Sequence, residues 1–320
     1  MTRSFTDPNE FKKLRVGTFS EKVFSLIDME LIKRDSFFFE IAQKFGDLFY
    51  NKYGNQANEH EKVMKSANSF AEIVLEKSAS MVNMNNTYKK VLKDVKDFLS
   101  FLKDCLIEFI KLVSISATGD SSLVPKERTV KRLAAKLVFG RNSCYDTLWM
   151  LIRLQHKEDE KRLKSCLTKL KHYTPKQFHV DDDFCLKKEE EPYQQVIDSI
   201  NYLETFTNPY DKFDLIVRIR KEIVRCIDEY YLFKEPTKNS DKLQLTADTL
   251  MAVYCYCLAN CCNEKMRIHQ VLIEEFVDDH YLKFGEEGYY YSTFMGAIDF
   301  LESISDNPEA GLNQIGGRKA

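Results

Sequence analysis

The chain has 320 residues, 44% of them hydrophobic and 30% charged, which excludes both a disordered and a membrane-spanning composition. Lys plus Arg number 47 against 49 Asp plus Glu, a formal charge of −2, without the basic excess that a nucleic-acid binder carries. Gly and Pro, at 11 and 7, are too sparse for an all-β fold full of tight turns, so the chain is read as all-α.

The N-terminus passes from MTRS straight to Asp7, Glu10 and Lys12 with no apolar core, so no secretory signal is expected. Residues 9–115 read as three or four long helices forming a bundle. Phe19, Val23, Phe24, Ile27 and Ile32 recur at helical spacing, and so do Phe37, Ile41, Phe45, Phe49 and Tyr50. A longer amphipathic stretch places Val91, Val95, Phe98, Leu99, Leu102, Leu106 and Phe109 on one stripe. The longest apolar run, 98–115, is broken by Lys103, Asp104, Glu108 and Lys111, so no integral membrane segment is expected. Residues 116–122 (SATGDSS), followed by Pro125, form the clearest break. The expected organisation is a bundle over 1–122 packed on a layered helical domain over 123–306, with a flexible tail over 307–320.

Beyond the break, Lys126, Arg128, Lys131, Arg132 and Lys136 read as a solvated helix face, and residues 128–139 and 145–171 as helices. Residues 173–192 read as a loop zone. Its acidic trio Asp181, Asp182 and Asp183 lacks EF-hand spacing and a turn glycine, so it is taken as solvated. From Tyr193 onward the chain is helical, with breaks at 208–209, 235–240 and 284–288, and with a stripe of Leu215, Ile219, Ile223, Cys226 and Ile227.

Nine cysteines, an odd number, fit reduced thiols in a cytosolic setting. Cys255, Cys257, Cys261 and Cys262 lie in an apolar helical run where they point in several directions, which suits buried thiols better than a tetrahedral zinc site. No GxxxxGK[ST], GxGxxG, HExxH or GxSxG occurs, and the six His are scattered. No metal and no cofactor are expected.

Two segments carry the functional signal. In residues 245–252 (LTADTLMA), Thr246 is a good N-cap and the apolar run begins at Leu250, which places Asp248 in the first helical turn. A carboxylate there is favoured by the helix N-terminus and stays exposed and ionised. In residues 285–293 (GEEGYYYST), Gly285 and Gly288 allow a tight loop before Tyr289, Tyr290 and Tyr291 enter a helix continuing through Phe294, Ile298 and Leu301. Three adjacent tyrosines cannot all face one core, so at least one should reach the surface.

Together these segments resemble the vacuolar-protein-sorting-nine (VPS-nine) domain, which carries D-x-x-x-P at one helix start and G-E-x-G-Y-Y-x-[ST] at a later one. The resemblance covers roughly residues 193–305, including residues 208–213 (NPYDKF) and the small-residue helix of residues 296–301 (GAIDFL). It implies a guanine-nucleotide exchange factor for a Rab GTPase of the early-endosomal subfamily, cytoplasmic and recruited peripherally to early endosomes. It further implies that Asp248 enters the GTPase's nucleotide site, that Tyr289 meets the switch regions, with Tyr290 beside it, and that Ser292 is their hydroxyl partner. Ala252 stands where most members have Pro, and Ser292 where many have Thr. The alternative is a VPS-nine-like module that has lost exchange and serves as a GTPase-binding scaffold in trafficking.

Overall fold

The computed structural model describes residues 33, 36–54, 70–118, 125–140, 143–187, 189–236, 243 and 245–316, and among them it holds twelve α-helices and no strand. The helical repeat expected over residues 19–32 lies outside the described residues, as do residues 119–124. The chain divides into two compact units, one ending at Leu151 and one beginning at Ile152.

The first unit is built on two helices with complementary aromatic faces. Helix α1 (Phe37–Phe49) starts at the N-cap Ser36, whose hydroxyl accepts from the Phe39 N–H, and ends in a π-turn, Tyr50–Gly54. Helix α2 runs from Phe70 to Thr118. Phe45 stacks on Phe98 at 3.8 Å and Phe38 meets Phe109 edge-on at 5.3 Å, so the two helices run antiparallel. Beyond α1, Tyr53 and Lys52 both donate to Asp94, at 2.6 and 2.7 Å. The stripe of α2 is buried at Val91, Val95, Leu102 and Leu106, while Phe98, Leu99 and Phe109 are half-buried.

Two expectations are corrected here. The buried face of α1 runs through Phe38, Ala42 and Phe49, whereas Phe37 is 69% exposed: in a run of three phenylalanines the 3.6-residue period leaves the facing residue ambiguous by one position. Residues 116–118 of the expected break belong to α2. Helix α3 (Glu127–Phe139) then packs on both α1 and α2, with Val130, Leu133 and Val138 buried. Helix α4 (Ser143–Gln155) contains the boundary between the units.

In the second unit, α5 (Lys157–Leu170) is followed by residues 173–192, which were expected to be a solvated loop. The described residues 173–187 and 189–192 instead form a packed strap with 3₁₀ turns at Pro175–Phe178 and Asp182–Phe184. Phe178, Val180, Phe184 and Leu186 are buried, and left-handed backbone at His179, Leu186 and Tyr193 turns the chain. Helices α6 (Gln194–Tyr202), α7 (Pro209–Phe233), α8 (Ala247–Asn260), α9 (Met266–Phe276), α10 (Asp279–Lys283) and α11 (Gly285–Ser303) follow. Asn208 caps α7 by accepting from the Tyr210 N–H, with Pro209 at the first helical position where its missing donor costs nothing.

Helix α8 is the centre of this unit. Every residue from Thr249 to Ala259 except Met251 is buried. A helix that is apolar all round is a core helix, and α8 is surrounded by α5, α6, α11 and the Pro175–Phe178 turn. Its Tyr254 ring meets Phe294 of α11 at 5.2 Å, and its Tyr256 lies 6.0 Å from Phe178 and 6.3 Å from Tyr193. Cys255 and Cys257 within it and Cys261 at its C-cap are buried as small apolar side chains, and burial raises all three thiols above their ordinary range. Cys262 is exposed.

A polar staple ties α7 to α9. Lys212 has 0% exposure, and its Nζ donates to the Leu203 carbonyl at 2.8 Å and lies 3.1 Å from His269 Nδ1. Burial lowers the Lys212 ammonium to about 7, and burial beside that amine keeps His269 well below the usual imidazole range.

The last helix, α12 (Pro308–Gly316), lies within the span expected to be a tail, whose residues 317–320 lie outside the described residues. Leu312 is buried, Tyr173 donates to Glu309 at 2.7 Å, and α12 contacts α5. Among the described residues, the burial of Pro308, Gly311 and Leu312 and the Tyr173–Glu309 hydrogen bond tie this helix down.

Candidate functional site

The first turn of α8 is the most exposed part of this core helix. Thr246 caps it, its Oγ1 accepting from the Thr249 N–H at 3.2 Å, and Thr246, Ala247 and Asp248 are exposed. From Leu250 the helix sinks into the interior. Asp248 therefore projects from a first turn whose orientation is fixed by a buried rod.

Helix α11 packs along α8 and presents a complementary surface. It begins at Gly285 rather than after Gly288, a correction to the expected loop. Gly285 takes φ +73°, the left-handed region that favours glycine. Gly288 lies inside the helix, where a Cβ would stand 2.9 Å from the Lys283 carbonyl carbon and 3.1 Å from that of Leu282. Its role is close approach of α11 to the backbone of α10.

The three tyrosines separate as helical geometry requires. Tyr289 is 48% exposed, Tyr290 is half-buried and Tyr291 is 3% exposed. Tyr291 packs against Phe213 of α7 at 5.4 Å. Tyr290 lies 5.4 Å from Tyr289, and the Arg220 guanidinium of α7 sits over its ring at 5.1 Å, a cation–π contact. Partial burial and a hydrogen bond to Glu286 raise the Tyr290 phenol above its ordinary range. The same neighbourhood includes buried Tyr254 of α8, whose ionisation is opposed by burial first and influenced by Arg220, Tyr290 and Tyr289.

Ser292 is exposed, with its hydroxyl 3.4 Å from the Leu282 carbonyl. Ala252 is 5% exposed, turned into the core rather than outward. Asp248, Tyr289 and Ser292 are thus exposed on two helices in direct contact, Tyr290 supports Tyr289 from the side, and Ala252 lies beneath the surface.

Two participants in this arrangement carried no sequence signal. Arg220 is one charged residue among several on α7. Asp181, from the strap, accepts a hydrogen bond at 2.5 Å from the hydroxyl of Thr249, the residue after Asp248. That contact spans 68 positions, beyond the reach of any local pattern. Among the described residues no group of His, Cys, Asp and Glu is arranged to hold a metal ion, and no helix is long and apolar enough to cross a membrane.

Residues 193–306 match the family model described as Vacuolar sorting protein 9 (VPS9) domain. A search of curated proteins finds no match to the chain. The matched span begins at Tyr193, immediately before α6, and ends at Asp306, just after α11, so it contains both the Asp248 turn and the tyrosine helix. VPS9 domains are helical, bind Rab-family GTPases and occur in Rab guanine-nucleotide exchange factors acting in trafficking. In residues 193–306 the chain carries a VPS9 domain.

Proposed function

We propose that this protein accelerates guanine-nucleotide exchange on an early-endosomal-type Rab GTPase, with Asp248 as the residue that enters the nucleotide site. The observation that carries the proposal is the exposed Asp248 on the capped first turn of an otherwise buried helix. GDP in such a GTPase is held by the P-loop lysine and by Mg²⁺ bridging the phosphates and a P-loop hydroxyl. A rigidly held carboxylate pairs with that lysine, repels the β-phosphate and competes for the metal's place. Nucleotide affinity falls, and cellular GTP refills the emptied site. Tyr289 provides an exposed aromatic face for the switch regions, braced by Tyr290 and Arg220. Ser292 keeps the hydroxyl that the motif calls for. The protein acts from the cytoplasm, recruited peripherally to early endosomes.

Release of a fluorescent GDP analogue from a panel of endosomal Rab GTPases tests this. Acceleration for one or a few members is expected, and Asp248→Ala should remove most of it. Folding stability should change by no more than about 0.3–1 kcal/mol, the worth of an exposed acidic residue at a helix start. Unchanged exchange by Asp248→Ala rules out the assignment.

One observation favours a second reading, a GTPase-binding scaffold without exchange activity. Ala252 stands where most family members have proline, and it is buried, so the helix that presents Asp248 lacks that rigid residue. Nucleotide preference separates the readings: an exchange factor grips the nucleotide-free GTPase most tightly, an effector-like scaffold the GTP form.

A further inference from the structure

Thr249 is polar yet has 0% exposure, and a buried hydroxyl without a partner is costly. Its partner comes from outside the VPS9 match. The Thr249 hydroxyl donates to Asp181 Oδ2 at 2.5 Å, accepts from the Thr246 hydroxyl at 2.9 Å, and the Thr249 N–H donates back to Thr246 Oγ1 at 3.2 Å. Each hydrogen has one acceptor, so the three bonds are mutually consistent. They close a ring around the turn that carries Asp248 and tie it to a charged acceptor, the stronger class of hydrogen bond.

Asp181 is itself held in place. On one side Val180 is buried and its carbonyl accepts from the Cys185 thiol at 3.2 Å. On the other, Tyr231 of α7 donates to the Asp183 carbonyl at 2.5 Å and Tyr193 to the Phe184 carbonyl at 2.6 Å. The strap is therefore fastened to α6 and α7 on one edge and to the start of α8 on the other.

We propose that Asp181 and Thr249 form a latch that fixes the first turn of α8 and thereby sets where Asp248 is presented to the GTPase. The latch residues are positioning residues: neither needs to touch the partner. The inference rests on the reading of Asp248 given above, and it extends the working part of the exchange site to a strap that precedes the family match.

The test uses the full chain and four substitutions. Thr249→Val keeps the shape and removes the hydroxyl, whereas Thr249→Ser keeps the hydroxyl. Asp181→Ala removes the acceptor, whereas Asp181→Asn keeps an acceptor oxygen. Exchange is measured as a function of exchange-factor concentration, alongside amide hydrogen exchange over residues 246–250.

Thr249→Val and Asp181→Ala should lower the saturating exchange rate about tenfold or more, as loss of alignment at a reacting centre does. The half-saturating concentration should move little. Both substitutions should also speed amide exchange in that turn alone. Thr249→Ser and Asp181→Asn should stay within about threefold of the parent chain, since an alignment role tolerates any partner that keeps the bond.

A saturating rate unchanged in Thr249→Val overturns the latch, as does unaltered amide exchange in the turn. Equal losses in Asp181→Asn and Asp181→Ala overturn it too, because they would mean that the carboxylate's charge acts directly on the partner. Failure of the underlying reading looks different: the parent chain is inactive, or Asp248→Ala is fully active, while the amide-exchange result still reports on the latch itself.

Discussion

Two glycines in α11 give opposite predictions for the same substitution. Gly296 is half-buried, with nothing within 4 Å of the position a Cβ would take. Alanine there should contribute its helix-propensity advantage, about 1 kcal/mol. Gly288 has the same propensity term, but its Cβ would stand 2.9–3.1 Å from backbone atoms of Leu282 and Lys283. Backbone cannot rotate away as a side chain can, so α11 must shift from α10, and overpacking of this kind costs about 1–3 kcal/mol. The net expectation is a gain of about 1 kcal/mol for Gly296→Ala, against a change between roughly zero and a loss of 2 kcal/mol for Gly288→Ala. At about 2–4 °C per kcal/mol for a domain of this size, thermal melts separate the two. Because Gly288 immediately precedes Tyr289, exchange activity should also fall in Gly288→Ala and persist in Gly296→Ala. Equal melting shifts for the two variants would refute the close-approach argument and return Gly288 to a simple turn role.

Lys212 predicts a pH dependence of stability. Its amine titrates near 7 in the folded protein and near 10.5 when exposed, so between those values the unfolded chain binds the proton that the folded chain has released. Stability therefore rises with pH from about 7 to 10.5, so it falls as pH is lowered through that window and levels off below 7, with a slope of at most about 1.4 kcal/mol per pH unit. Urea titrations at pH 7 and 8.5 should show the parent chain gaining about 1–2 kcal/mol relative to Lys212→Met, and parallel behaviour of the two would contradict the buried-amine account. Tyr291→Phe should be neutral or stabilising by up to about 1 kcal/mol, because the Tyr291 hydroxyl is buried with no hydrogen-bond partner among the described residues. A clear destabilisation in chemical denaturation would show that the hydroxyl is satisfied in solution.

The parts of the site that were legible in the sequence are those governed by local rules. Capping by Thr246 follows from residue type and the start of the apolar run, and the division of labour among Tyr289, Tyr290 and Tyr291 follows from 100° per residue around a helix. The illegible parts depend on tertiary contact. Residues 173–192 look solvated because their charges outnumber their apolar residues. Phe178, Val180, Phe184 and Leu186 are buried without any helical or strand period that would announce them. Gly288 is compatible with both a loop and a close helix contact until its neighbours are known. Asp181 reads as one of three acidic loop residues, and only the fold brings it to Thr249.

The distribution of burial also explains why one exposed carboxylate can carry so much of the proposed chemistry while contributing little to stability. A carboxylate that displaces a phosphate-bound lysine and a metal ion must arrive at a fixed point, because electrostatic competition falls off with distance and misplacement by an ångström weakens it steeply. A loop would meet the GTPase with Asp248 in many positions and lose conformational entropy on binding. Helix α8 avoids this by being enclosed by α5, α6, α11 and the strap along nearly its whole length, so that its exposed first turn has few ways to move. Rigidity is supplied by residues that never meet the partner, and chemistry by one that does little for the fold. Substitutions in the two classes should therefore separate in experiment: those at Tyr254 or Phe294 should act through folding, and those at Asp248 through exchange alone.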